Sequence, residues 1–160
     1  MLIIQTFILF ILTVTSFGMD AGRILRGRVE KVIDGDSLIV REGKRKYEVR
    51  LWGIDCPEYG QPYGANAQKL SKALLLNKNA QVVVRTRDSY GRYVGVVYQG
   101  NLNVNEELVR RGAAWVYKHY CRESICDEWK SLESKARFEQ RGLWKVKKQV
   151  APWQWRRDTH

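Results

Sequence analysis

The chain alternates short strand-like segments with glycine and proline breaks, and this pattern restricts the fold more than any other feature. In one segment Tyr47, Val49 and Leu51 alternate with the charged residues Glu48 and Arg50. Such alternation predicts a strand with one buried face and one polar face. Five segments rich in β-branched and aromatic residues are predicted as strands: 23–33, 37–42, 44–55, 80–87 and 92–99.

Three helices are predicted around these strands. The first lies within residues 61–79, between the third and fourth strands, and ends near Asn77. Its apolar residues recur at helical spacing and are expected to face the core. They are Ala67, Leu70, Ala73 and Leu74.

The other two helices follow the fifth strand. One lies within residues 103–115 and is stopped by Gly112, and the other lies within residues 127–144 with Gly142 as its cap. The apolar face of the longer helix is predicted to contain Trp129, Leu132, Ala136 and Phe138. This order of elements predicts a mainly β, α+β fold: a five-stranded OB-type barrel with about three packed helices.

The charge of the chain points to a polyanionic partner. Lys and Arg number 28 against 17 Asp and Glu, which leaves a net charge of +11. An excess of this size favours nucleic acid or an anionic membrane surface, although a soluble protein from a basic proteome is the plainer alternative. The apolar fraction of 44% is ordinary and excludes a wholly disordered chain.

The N-terminal segment resembles a secretory signal peptide. It has no charged residue before Asp20, an apolar core over residues 2–14, and small residues that allow cleavage after Gly18. It also lacks a basic start and is nearly long enough to span a bilayer, so an uncleaved membrane anchor is the alternative. We therefore expect a secreted or periplasmic protein, or one anchored by its N-terminus. The predicted divisions are a signal peptide over 1–18, a domain over 24–146 and a basic aromatic tail over 147–160.

The three cysteines allow one disulfide. In an oxidising compartment Cys121 and Cys126 could close a short loop and leave Cys56 unpaired. A zinc site that combines Cys121 with His119 is the alternative, but it lacks a fourth ligand and the usual CxxC spacing.

Four acidic residues suggest a cation site. Asp34 and Asp36 flank a glycine in "VIDGDSLIV", and in a regular strand residues two apart point to the same face. Asp55 ends the third strand segment and Glu58 follows three residues later. Clustered carboxylates repel one another unless a cation or protons neutralise them, and oxygen ligands suit Ca²⁺ or Mg²⁺. The alternative is that "DGD" simply forms a turn.

Four motifs in series resemble those of the staphylococcal nuclease (thermonuclease) family of secreted, calcium-dependent phosphodiesterases. They are "VIDGDSL", "RLWGIDCPE", "DSYGRYVG" and "VNEELVRRGAAWVY". The similarity runs from Arg26 to Trp144, and the closing "PWQWRR" resembles bacterial members of the same family.

The resemblance implies a calcium site with Mg²⁺ as the alternative cation. By position, Asp36 and Asp55 become side-chain ligands, and Cys56 contributes its backbone carbonyl. The best-known family member has threonine at the position of Cys56, but any residue can supply a carbonyl. Asp34 would act on the cation through a water molecule.

The resemblance also implies a catalytic trio, Arg50, Glu58 and Arg92. Attack of water on a phosphodiester builds negative charge on the phosphate oxygens, and a cation with two guanidiniums would stabilise that charge. The planar fork of arginine holds two phosphate oxygens and stays protonated. Glu58 would orient or deprotonate the attacking water.

Three tyrosines are candidates for substrate binding. The resemblance places Tyr90 beside the phosphate and Tyr120 at the base, where an aromatic ring can stack. Lys118 replaces a second tyrosine of the family, and Tyr117 is displaced from it by one position. Ser89 stands where the family usually has lysine.

Together these features predict a secreted, metal-dependent nuclease that cuts DNA, with RNA as a second candidate substrate, and has little sequence specificity. It is expected to be a monomer without a dedicated protein partner. One alternative is a non-catalytic OB-fold module that binds nucleic acid. Another is a protein that uses its charge and N-terminal anchor on anionic lipid.

Overall fold

Five long strands close into a barrel in the computed structural model, which describes residues 20–159. In chain order the strands are β1 (Ile24–Val32), β2 (Ser37–Glu42), β3 (Arg45–Leu51), β4 (Ile54–Asp55), β5 (Asn79–Arg87), β6 (Tyr93–Gln99), β7 (Leu102–Asn103) and β8 (Trp115–Val116). The ring runs β3, β2, β1, β5, β6, and the parallel pairing of β6 with β3 closes it. The other neighbours in the ring are antiparallel. The predicted α+β fold with a five-stranded OB-type barrel is confirmed.

Helices cover the barrel. They are α1 (Gly64–Leu75), α2 (Val104–Arg110), α3 (Ile125–Phe138), a short 3₁₀ helix (Gly142–Lys145) and α4 (Pro152–Thr159). The last helix lies in the stretch expected to be a basic aromatic tail. Within the described residues, none of the helices is long and apolar enough to cross a membrane. The predicted signal peptide, residues 1–18, lies outside the described part of the chain.

Alternation along the strands builds the barrel core as the sequence predicts. Val49 and Leu51 are buried inside the barrel, whereas Glu48 before them is exposed and Arg50 between them is half-buried. Because successive residues of a strand point to opposite faces, alternate side chains reach the core where a strand is regular. Other core positions filled in this way are Leu25, Val29, Val40, Val82 and Val84.

The predicted apolar face of α1 is shifted from the observed one. Ala67 is buried as expected, but Ala73 is exposed, and the face is completed by Ser71 and Leu75. Ser71 is tolerated there because its hydroxyl donates to the backbone carbonyl of Gly35.

The predicted end of α3 is also wrong. Phe138 is 89% exposed, and Glu133 is buried in its place beside Ala136. The burial of Glu133 is offset by an ion pair with Arg137 at 2.8 Å, one helical turn away. The helix ends at Phe138, and Gly142 instead begins the 3₁₀ helix.

A buried asparagine joins α2 to the barrel. The Asn105 side chain is fully buried, and its Nδ2 donates to the Trp52 carbonyl at 2.9 Å. Its Oδ1 accepts the backbone N–H of Val97, also at 2.9 Å. Both backbone groups are away from water, so the amide of Asn105 satisfies them from within the protein.

We predict that Asn105→Ala lowers the free energy of unfolding by about 2–4 kcal/mol, because two buried backbone groups lose their partner. Urea unfolding followed by circular dichroism measures this loss. Asn66→Ala, on the exposed side of α1, is the control and should cause no loss. Equal stabilities of the two variants would contradict the role given to Asn105.

Candidate active site

The two aspartates of "VIDGDSLIV" lie in the turn between β1 and β2. β1 ends at Val32 and β2 begins at Ser37, so the expectation that a regular strand carries both acids on one face is wrong. Asp34 Oδ1 accepts the backbone N–H of Asp36 at 3.0 Å, as the turn alternative predicts. Asp36 itself is only 1% exposed. The carboxylate of Asp34 therefore stabilises the turn, whereas the carboxylate of Asp36 is buried.

The carboxylate of Asp36 joins this turn to β4. Its Oδ2 accepts the backbone N–H of Cys56 at 2.5 Å. The two segments approach closely at Gly35, where an added Cβ would lie 2.5 Å from the Cβ of Cys56. Glycine is therefore required at this position of the turn.

One arginine bridges two buried acids. Arg50 lies in β3, and its Nη2 is 2.5 Å from Oδ1 of Asp55, while its Nη1 contacts Oδ1 of Asp36. Asp55 is fully buried in β4, opposite Trp115 of β8. Buried carboxylates are costly unless they are paired, so the fork of Arg50 makes this acid pair possible.

A second arginine reaches the same acids from α4. Arg156 Nη2 is 2.8 Å from Oδ2 of Asp55, and its Nη1 contacts Oε1 of Glu58. Burial acts to lower the pKa of Arg156, but the hydrogen bonds and charges of Asp55 and Glu58 outweigh this effect and raise that pKa above its ordinary value. Arg156 is not among the site residues predicted from the sequence, although it lies in the "PWQWRR" segment that resembles family members.

Arg92 pairs with Asp88 rather than with the acid cluster, the name used here for Asp36, Asp55 and Glu58. It directly precedes β6, and its Nε is 2.7 Å from Oδ2 of Asp88 in the preceding turn. The next residue, Tyr93, pairs with Val49, the neighbour of Arg50. The parallel pairing of β3 and β6 therefore brings the two arginines to nearby positions along the sheet.

The three candidate tyrosines differ in how much of the side chain is exposed to solvent. Tyr90 is 84% exposed and Tyr120 is 60% exposed. Tyr117 is half-buried, and its ring stacks on Trp153 of α4 with centroids 4.9 Å apart and an interplanar angle of 3°. One face of Tyr117 is thus covered by α4, while Tyr120 packs edge-on against the same tyrosine.

The cysteines do not form a zinc site. Cys121 and Cys126 are joined in a disulfide, which removes Cys121 from the zinc alternative with His119. Cys56 is a buried free cysteine, and burial raises the pKa of its thiol well above the usual value. A neutral thiol is a poor metal ligand, so only the backbone carbonyl of Cys56 suits the role that the resemblance implies.

The donor set of the cluster fits a hard cation in its chemistry. Asp36 and Asp55 provide buried carboxylate oxygens, which Ca²⁺ and Mg²⁺ prefer. Between residues 20 and 159, no three His, Cys, Asp or Glu side chains are placed together so that they could hold a metal ion. Instead, Arg50 bridges the two aspartates and Arg156 bridges Asp55 and Glu58.

Comparison with known families identifies the chain. The model of the family described as staphylococcal nuclease homologue matches residues 48–146, most of the chain. The chain belongs to the staphylococcal nuclease homologue family. The matched segment contains Arg50, Asp55, Glu58 and Arg92.

Individual relatives extend the similarity beyond that segment. An uncharacterized endonuclease of Escherichia coli O157:H7 is 40% identical over 133 residues, which cover 82% of this chain and 85% of the relative. A micrococcal nuclease of Shigella flexneri is 36% identical over 141 residues, 82% of this chain and 80% of that protein. A probable staphylococcal-like nuclease of Oryza sativa subsp. japonica is 39% identical over 114 residues, 71% of this chain but 30% of the plant protein.

We predict that the two arginines of the family trio contribute unequally to stability. Arg50→Met should lower the free energy of unfolding by about 3–5 kcal/mol, because it leaves two buried carboxylates without their shared partner. Arg92→Met should cost about 1 kcal/mol or less, because its ion pair with Asp88 is partly exposed. Guanidinium chloride unfolding of both variants measures the difference, and equal losses would contradict the bridging role of Arg50.

Proposed function

We propose that this nuclease hydrolyses phosphodiester bonds with the help of a divalent cation, Ca²⁺ in the first place and Mg²⁺ as the alternative. Membership of the staphylococcal nuclease homologue family supports the nuclease activity, as do relatives named endonuclease and micrococcal nuclease. The observation that carries the cation proposal is the pair of buried carboxylates, Asp36 and Asp55, gathered around one guanidinium.

Asp36 and Asp55, with the backbone carbonyl of Cys56, would hold the cation, and Asp34 would act through a water molecule. Once bound, such a cation supplies Lewis-acid stabilisation to the phosphate oxygens. These ligands come from a turn and a short strand rather than from one rigid helix. Calcium accepts such an irregular oxygen set more readily than magnesium, which demands near-octahedral geometry.

The reacting phosphate would lie against Arg50, whose remaining N–H groups can donate to its oxygens while the two Nη nitrogens hold Asp36 and Asp55. Arg92 would stabilise charge on the leaving oxygen, and its ion pair with Asp88 holds its side chain at the edge of β6. Glu58 would orient the attacking water or accept its proton.

DNA is the proposed substrate, with RNA as the second candidate. The net charge of +11 favours the phosphate backbone without regard to sequence, so binding should weaken as salt rises. The exposed rings of Tyr90 and Tyr120 are available for stacking on unpaired bases, whereas Tyr117 offers at most its free face. We propose a monomer that needs no dedicated protein partner.

We also propose that the protein is secreted or periplasmic, with an N-terminal membrane anchor as the alternative. The apolar stretch over residues 2–14 supports export. The disulfide between Cys121 and Cys126 is compatible with an oxidising compartment.

Digestion of plasmid and single-stranded DNA by the full-length protein tests the cation proposal. We expect cutting in Ca²⁺ or Mg²⁺ and none in chelator. Asp36→Ala and Asp55→Ala should each abolish cation-dependent cutting, because each removes a proposed ligand. Asp127→Ala removes an exposed acid that pairs with Lys130 on α3, and it should cut at the wild-type rate.

Two outcomes would contradict this function. Wild-type rates in both aspartate variants would show that these acids hold no catalytic cation. Binding of DNA without cutting under every condition would make the chain a non-catalytic OB-fold binding module.

A conservative substitution tests the role of Arg92. Arg92→Lys should lower the cutting rate by roughly 100-fold or more, because a single ammonium cannot reproduce a fork aimed at phosphate. Arg87→Lys, at the end of β5, is the matched control and should keep most of its activity. A nearly normal rate for Arg92→Lys in a fixed-time digestion series would show that Arg92 is only a surface charge.

A further inference from the structure

Helix α4 is held against the acid cluster by contacts that do not involve Arg156. The side chain of Gln61 is buried; its Nε2 donates to the Val150 carbonyl at 2.7 Å and its Oε1 accepts the backbone N–H of Glu58 at 3.0 Å. Three residues further along, Trp153 stacks on Tyr117. These contacts fix the start of α4, so the position of Arg156 follows from the packing of its helix.

Arg156 binds mainly the Asp55 oxygen that Arg50 leaves free, and its Nη1 also lies 3.3 Å from Oδ1. Oδ1 of Asp55 is bound by Arg50, and Oδ2 of the same group is bound by Arg156. The second Nη of Arg156 binds Glu58, the acid assigned to the attacking water. Three carboxylates, counting Asp36, thus share two guanidiniums and keep a single uncompensated negative charge.

We propose that Arg156 is an internal cation that competes with the divalent cation for Asp55, while its other nitrogen holds Glu58. In this way Arg156 sets the cation concentration at which the nuclease becomes active. This inference rests on the proposed cation-dependent function. Without Arg156 the same carboxylates carry two uncompensated charges, which attract a divalent cation more strongly.

The guanidinium can be displaced because it is not fully enclosed. The side chain of Arg156 is 37% exposed, so it can turn towards solvent when Asp55 is taken by a cation. Arg50, at 17% exposed and held by two acids, has no comparable freedom. The two arginines therefore differ in role: Arg50 belongs to the fixed frame of the site, and Arg156 is its exchangeable partner.

Calorimetric titration of the full-length protein with Ca²⁺ tests this competition. Arg156→Gln should bind Ca²⁺ about tenfold more tightly than the wild type, since a unit charge beside the site has been removed. Arg157→Gln removes the same charge from the next, exposed residue of α4 and should bind as the wild type does. Arg156→Lys keeps the charge and should stay within about threefold of the wild type.

Thermal unfolding supplies a readout that a purely structural role would not produce. In chelator, Arg156→Gln should melt below Arg157→Gln, because Asp55 and Glu58 have lost a counter-charge. In saturating Ca²⁺ this difference should disappear, because the cation replaces Arg156. An equal deficit in both conditions would overturn the proposal and make Arg156 a structural residue.

The calcium titration separates failure of this inference from failure of the proposed function. Equal affinities of Arg156→Gln and Arg157→Gln, or weaker binding by Arg156→Gln, would overturn the competition while leaving the cation site in place. If neither the wild type nor any variant binds Ca²⁺, and a repeat titration with Mg²⁺ also shows no binding, the cation site itself is overturned, and the competition with it.

Discussion

The bridge that Arg50 makes between Asp36 and Asp55 is the interaction on which the rest of the site depends. Two buried carboxylates would repel each other and resist burial, and the fork of one guanidinium compensates both. The bridge also joins three parts of the fold, since Asp36 lies in the β1–β2 turn, Arg50 in β3 and Asp55 in β4. The barrel thus holds two acids close together at one end, and this proximity is what a cation and a phosphate require.

Much of the barrel could be predicted because its signals are local. The alternation around Val49 needs only the neighbouring residues, and the pairing of β3 with its neighbours follows from burial of one face. The buried faces of the helices are harder to predict. Phe138 is exposed while Glu133 is buried, because the packing of α3 and an ion pair with Arg137 outweigh hydrophobicity alone. At Asp34 and Asp36 the sequence allows either a cation site or simple turn chemistry. In the structure Asp34 shapes the turn, whereas Asp36 accepts the backbone N–H of Cys56.

The parts of the site that escaped prediction are those that depend on distant contacts. Asp55 and Arg156 are separated by 101 residues, and no periodicity in the sequence relates them. The packing of α4, through Gln61 and Trp153 among other contacts, brings them together. The same helix covers one face of the Tyr117 ring, and nothing in the sequence indicates that contact. Arg156 and Trp153, which lie in the stretch expected to be a tail, thus contribute directly to the candidate site.

The central claim is that the buried acids around Arg50 form a cation site that Arg156 occupies when no cation is bound. A crystal structure of the protein grown with saturating Ca²⁺ tests this claim most directly. The account predicts a calcium ion ligated by Asp36 and Asp55, with the guanidinium of Arg156 released from Asp55. Calcium bound elsewhere, with Arg156 still paired to Asp55, would contradict it.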